Sequence, residues 1–175
     1  MGEAGILSED DRVELLDGYI LSMSPIGPSH AHCVNRLNEL FVQRVVMGEK
    51  RRAQVGVQNP IGISEISEPE PDLVLYDPNV PTDRHPGPND LFLVVEVADS
   101  SVEYDCDVKG RAYGEAGIPE YWVVDLENEL VEVFRRPEAD GYAERIRHRR
   151  GDDLSITALP DLESLPVADL LGEED

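Results

Sequence analysis

Apolar and polar positions along the chain change their period several times, and each change marks an element. In "RVELLDGYILSMS" two short apolar runs flank Asp17-Gly18, a dipeptide suited to the positive backbone angles of a tight turn, which predicts an opening hairpin. The Pro/Gly/Ser stretch "SPIGPS" follows as a loop, and Ser29 is placed to cap a helix beginning near His30. Within "HAHCVNRLNELFVQRVVMG", Val34, Leu37, Phe41 and Val45 recur at three- and four-residue spacing and draw one apolar stripe on a helix ending at Gly48.

The pattern then switches to extended structure. "AQVGVQNPIGI" and "PDLVLY" read as strands separated by the acidic, proline-bearing "SEISEPEP", and "DPNVPTDRHPGPND" is a loop by its Pro, Asp and Asn content. "DLFLVVEV" is almost continuously apolar, the pattern of a strand buried on both faces. "EYDCDVKGRAYGEAG" has helical composition, with Gly117 placed to end it. Three further strands, "EYWVVD", "LVEVFRR" and "YAERIRHRR", are joined by "LENE" and "PEADG", and "LPDLESLPVADLL" closes the chain as a packed segment or short helix. The order hairpin, helix, strands, helix, strands predicts an α/β (α+β) fold with a mixed central β-sheet flanked by helices.

Composition narrows this picture. The 175 residues suit a single domain over 1–175, with flexible ends at 1–11 and 172–175. No apolar run approaches the roughly 18 to 20 residues of a membrane span, and "MGEAGILSEDDR" lacks a basic start followed by an apolar block, so the expectation is a soluble cytoplasmic protein without a membrane partner. Cys33 and Cys106 form no metal-ligand or redox pair in sequence, which fits two reduced thiols. The net charge of −22 repels polyanions at long range and argues against a nonspecific nucleic-acid coat protein. A small local site that holds a metal and touches phosphate is still allowed, because screening acts over about 8 Å at physiological salt.

Two acids stand out against their apolar surroundings: Asp72 opens "DLVLY", and Glu96 lies inside "LFLVVEVA". An unpaired carboxylate in a dry interior is strongly penalised, so Glu96 must sit at an accessible strand end, pair with a cation, lie protonated or bind a metal. If the two runs pair as neighbours, the side chains converge at one end of the sheet, where two carboxylates, a backbone carbonyl and waters would suit Mg2+. Asp105, Lys109 and Tyr113 follow at four-residue steps and share one helix face. At their simplest, Asp105 and Lys109 are a helix ion pair, Tyr113 is packing, His30 steadies its helix start and Glu14 faces solvent from an edge strand. If the helix face looks at the carboxylates instead, Lys109 brings a positive charge to a metal-activated water and the phosphate it attacks.

Taken together, "VELLDGYILSMSP", "EPDLVLY", "LFLVVEVADSS" and "DVKGRAYGEAGIPEYWVVD" resemble the Uma-two family of restriction-endonuclease-like proteins, within the PD-(D/E)XK nuclease superfamily. The resemblance runs in order over nearly the whole chain. It implies a restriction-endonuclease-like core and a metal-dependent endonuclease that hydrolyses phosphodiester bonds in DNA. Asp72 and Glu96 would be the metal ligands with the Val97 carbonyl, the cofactor Mg2+ or Mn2+, and the catalytic lysine Lys109. His30 and Glu14 match further polar positions that members place near the site, and a homodimer fits the superfamily. The chain departs from the pattern at Ala98, where the superfamily's name puts a lysine, at Glu70, where members usually carry glutamine, and at "DSS", where they usually read "SPS". A competing reading is a degenerate nuclease fold kept as a binding or oligomerising module. Arg145, Arg147 and Arg149 alternate along one strand face, either tracking phosphates or balancing surplus acids within the molecule.

Overall fold

The computed structural model describes residues 13–22, 25–47 and 50–172. The ends expected to be flexible fall, Gly172 apart, outside the described residues, as does the helix stop expected at Gly48. The opening hairpin forms as β1 (Val13–Leu16) and β2 (Tyr19–Ser22). Asp17 at φ 51° and Gly18 at φ 79° make the tight turn between them, as the Asp-Gly dipeptide predicts.

Helix α1 (Pro28–Phe41) buries Cys33, Val34, Leu37 and Phe41 on one side. It begins earlier than expected: Gly27 is the N-cap and Pro28 opens the first turn, leaving Ser29 inside that turn without a capping role. Proline presets the helical φ and has no N–H to lose there, so it wins over a serine cap. Beyond Phe41 the backbone widens into a π-helical turn over Val42–Val46, closed by Met47 N–H donating to the Val42 carbonyl at 3.1 Å.

Six strands form the central sheet in the order β3-β4-β5-β6-β7-β8: Gln54–Val57, Leu73–Tyr76, Leu91–Ala98, Glu120–Asp125, Leu130–Glu138 and Gly141–Arg149. Every neighbouring pair is antiparallel except β5 and β6, so the sheet is mixed. β3 is shorter than its apolar run suggests, because Gln58 turns left-handed at φ 49° and Asn59-Pro60 carries the chain away from the ladder. A parallel pair needs a crossover connection, and here it is helical. A π-helical segment, Tyr104–Lys109, leads into α2 (Gly110–Glu115), which Gly117 terminates at φ 80°. The chain closes with a short antiparallel pair, β9 (Asp153–Leu154) and β10 (Leu165–Pro166), and α3 (Val167–Leu171).

Side-chain alternation splits the core between the two sheet faces. On one, Leu73, Val95, Val97 and Trp122 meet α1, the π-helical turn that follows it and α3 through Leu37, Phe41, Val45, Val167 and Leu170. On the other, Val74, Val94, Ala98, Tyr121 and Val123 pack with Cys106 and Tyr113 of the crossover. Asp72 and Glu96 belong by this alternation to the crossover face. Cys33 and Cys106 are free and buried. Among the described residues no helix is long and apolar enough to cross a membrane.

Candidate functional site

β4 and β5 pair with Leu73 opposite Val95, which brings Asp72, at the mouth of β4, beside the segment that carries Glu96. The ladder does not continue past Leu73 by backbone alone. Asp72 Oδ2 accepts the Val97 N–H at 2.8 Å in place of a strand carbonyl. The Val97 C=O shares that edge of β5, because successive strand residues turn their amides to opposite sides. Ala98, next along, turns the other way and its carbonyl accepts the Leu126 N–H at 3.0 Å.

Both acids open into one cavity of about 530 Å³, whose wall also includes Glu14, Gly27, His30, Val97 and Lys109. His30, in the first turn of α1, places Nε2 2.9 Å from Asp72 Oδ2. That hydrogen bond raises the imidazole's pKa against the opposing effect of burial. Its Nδ1 is buried without a hydrogen-bond partner. The Gln58 amide reaches the second oxygen, Oδ1, at 3.3 Å.

Glu96 is set more deeply. Its Oε1 accepts the Lys109 ammonium and the Tyr113 hydroxyl, each at 2.9 Å. Burial pushes its carboxyl up to about 8, with Lys109 opposing and the charges of Asp72 and Asp105 adding to the rise. Lys109 also lies 3.2 Å from Glu14 Oε2, an ion pair without hydrogen-bond alignment. Burial alone would lower the lysine's pKa, but Glu96, Glu14 and Asp105 outweigh it and hold the ammonium above its ordinary value. Tyr104 donates to Glu14 Oε1 at 3.4 Å, and burial raises that phenol to about 12.

All five side chains expected at the site therefore meet: Asp72 with His30, and Glu96 with Lys109 and Glu14. The simpler expectations fail where the crossover packs. Glu14 is buried beside Lys109 instead of facing solvent. Lys109 turns to Glu96 and Glu14, while Asp105, raised by burial, takes the Ser101 hydroxyl at 2.5 Å. Tyr113, read as packing, is also a direct donor to Glu96. Gln58 was not legible at all, since its strand assignment hid the left-handed turn that aims it.

The arginines of β8 have a different fate. Glu132 Oε2 accepts Arg145 Nε at 3.0 Å and Oε1 accepts Arg147 Nε at 2.7 Å. Burial would raise the Glu132 carboxyl, but the two guanidiniums hold it below the usual range. Arg145 and Arg147 thus balance internal charge. They line a second cavity of about 430 Å³ together with Glu103, Asp107 and Asp125.

Among the described residues no group of three or more His, Cys, Asp or Glu side chains is arranged to hold a metal ion. Mg2+ asks for less, since it keeps several waters and takes one or two carboxylates. Asp72, Glu96 and the Val97 carbonyl are hard oxygen donors of that kind on one cavity wall.

A family profile described as "Putative restriction endonuclease", Uma2, matches residues 4–168. No curated protein matches the chain significantly. Among solved structures, the fold is similar to that of a "putative nuclease belonging to DUF820" from Anabaena variabilis, with a TM-score of 0.64 at 14% identity over 97% of this chain and 94% of that one. The type IIG restriction endonuclease BpuSI matches at a TM-score of 0.48 and 15% identity, over 85% of this chain and 17% of that one.

Proposed function

The chain belongs to the Uma2 family, and on that premise we propose that it is a metal-dependent endonuclease that hydrolyses phosphodiester bonds in DNA. The observation that carries this reading is the convergence of Asp72 and Glu96 on one cavity, with Lys109 bonded to Glu96. Asp72 and Glu96 would hold Mg2+ or Mn2+ with the carbonyl of Val97. Such an ion supplies Lewis acidity, polarising a phosphate oxygen and lowering the pKa of water.

The chain's own groups have distinct tasks. Lys109, locked as an ammonium, donates to negative charge that develops on the phosphate and does not serve as a base. Glu14 holds the lysine from the hairpin side. His30 anchors Asp72 through Oδ2, and Tyr113 anchors Glu96 through Oε1. A homodimer in the cytoplasm, with one site for each strand of a duplex, completes the reading.

The test is cleavage of supercoiled, linear and single-stranded DNA with Mg2+ or Mn2+. Wild type cuts, while Asp72→Ala and Glu96→Ala lose cleavage and keep the wild-type circular dichroism spectrum. Undiminished cutting by both variants sinks the proposal. A second reading, a nuclease fold kept as a binding or oligomerising module, draws on the internal pairing of the acids. It predicts that millimolar Mg2+ or Mn2+ leaves the melting temperature unchanged, because a ligand that binds only the folded state must raise it.

A further inference from the structure

We infer that Gln58 is a positioning residue of the metal site, setting the direction of Asp72; this rests on the reading of Asp72 as a metal ligand. Gln58 follows the last residue of β3 and stands at φ 49°, in the left-handed region that side chains rarely adopt. Glycine would take that conformation freely. The described chain has three other non-glycine residues at positive φ, Asp17, Glu129 and Arg136. None of these, nor Gln58 itself, lines the cavity of Asp72 and Glu96, and none of the three is hydrogen-bonded to either acid. Gln58 instead grips Asp72 twice, through its backbone N–H to the Asp72 carbonyl at 3.0 Å and its amide Nε2 to Oδ1 at 3.3 Å.

The choice of oxygen gives this contact its meaning. Each carboxylate oxygen offers about two acceptor directions. Both directions on Asp72 Oδ2 are taken, by His30 Nε2 at 2.9 Å and the Val97 N–H at 2.8 Å. Oδ1 accepts only the Gln58 amide among the described hydrogen bonds, so it keeps one direction open for a cation. The Gln58 amide selects which direction that is. A residue that bears unfavourable backbone geometry and spends its side chain on a ligand's orientation is the pattern expected where function overrides local stability.

The test follows the thermal midpoint of the full chain as Mn2+ is titrated, for wild type, Asp72→Asn, Gln58→Gly and Gln58→Met. Glycine removes the amide and relieves the backbone; methionine removes the amide and keeps the backbone as it is. In cation-free buffer Gln58→Gly melts at or above wild type, yet both Gln58 variants need about tenfold or more Mn2+ for the wild-type rise, the usual effect of losing a partner that orients a metal ligand. If wild type responds to Mn2+ and both Gln58 variants respond at the same concentration, the inference fails while the metal site stands. A Gln58→Gly chain that melts below wild type with an unchanged Mn2+ requirement likewise assigns the residue to packing. Wild type and Asp72→Asn that are equally indifferent to Mn2+ overturn the metal site, and this inference with it.

Discussion

At the scale of single residues, the deciding quantity is the proton on Glu96. Burial pushes its carboxyl up to about 8 from an ordinary value of 4.5, against the opposing pull of the Lys109 ammonium. Between those two values the folded chain holds a proton that the unfolded chain has released, so the Glu96 contribution to stability falls as pH rises through that window and is flat above it. Glu96→Gln keeps an acceptor for Lys109 and Tyr113 but cannot titrate. In chelator, the melting-temperature difference between Glu96→Gln and wild type should therefore move in favour of the variant from pH 5 to pH 8. Parallel curves would place the Glu96 titration at its ordinary value. The sequence reading could identify Glu96 as a costly acid and name pairing, protonation or metal binding as its escapes. It could not decide among them, since the decision depends on Lys109 and Tyr113 arriving from a separate element. Gln58 lay further out of reach, because its role follows from a φ angle that no residue type nearby signals.

At the scale of elements, the crossover has to lie flat against the sheet to deliver Lys109 and Tyr113. Gly114 of α2 makes this approach possible: a Cβ there would sit 2.3 Å from the carbonyl carbon and oxygen of Gly141 at the start of β8. Backbone cannot rotate aside as a side chain does, so Gly114→Ala should destabilise the fold by about 1–3 kcal/mol, the usual cost of overpacking, and weaken cleavage by shifting α2. Urea denaturation beside the cleavage assay measures both; an unchanged midpoint would show that the contact yields freely. The elements themselves were largely legible, because the hairpin dipeptide, the α1 stripe and the buried run of β5 each carry a period or turn signal of their own. What escaped was where neighbours or prolines impose limits. Pro28 moved the start of α1, Gln58 cut β3 short, and the π-helical turn over Tyr104–Lys109, closed by Gly110 N–H to the Asp105 carbonyl, has no signature in the apolar pattern.

At the scale of the whole molecule, the net charge of −22 sets the background against which every local pair acts. Self-repulsion of that size favours the expanded chain, and added salt screens it. The melting temperature of the protein should rise with NaCl in calorimetry; a fall would mean that internal pairs such as Arg145 and Arg147 with Glu132 outweigh the global repulsion. The same charge is the ground for expecting no wide polyanion binding, and two guanidiniums of the arginine strip are already paired with Glu132 within the molecule.

The crossover between β5 and β6 has one more consequence, for recognition. Ala98 lies fully buried in the cluster that holds Cys106 and Tyr113, at the place where the superfamily's name puts its lysine. Because the cation reaches Glu96 from the connecting helix, the distance along the chain between carboxylate and ammonium is released from strand geometry and is set by the length of the connection. A written pattern that demands a lysine two residues after the glutamate stops at Ala98, while the folded chain still joins the acid of β5 to an ammonium brought by the crossover.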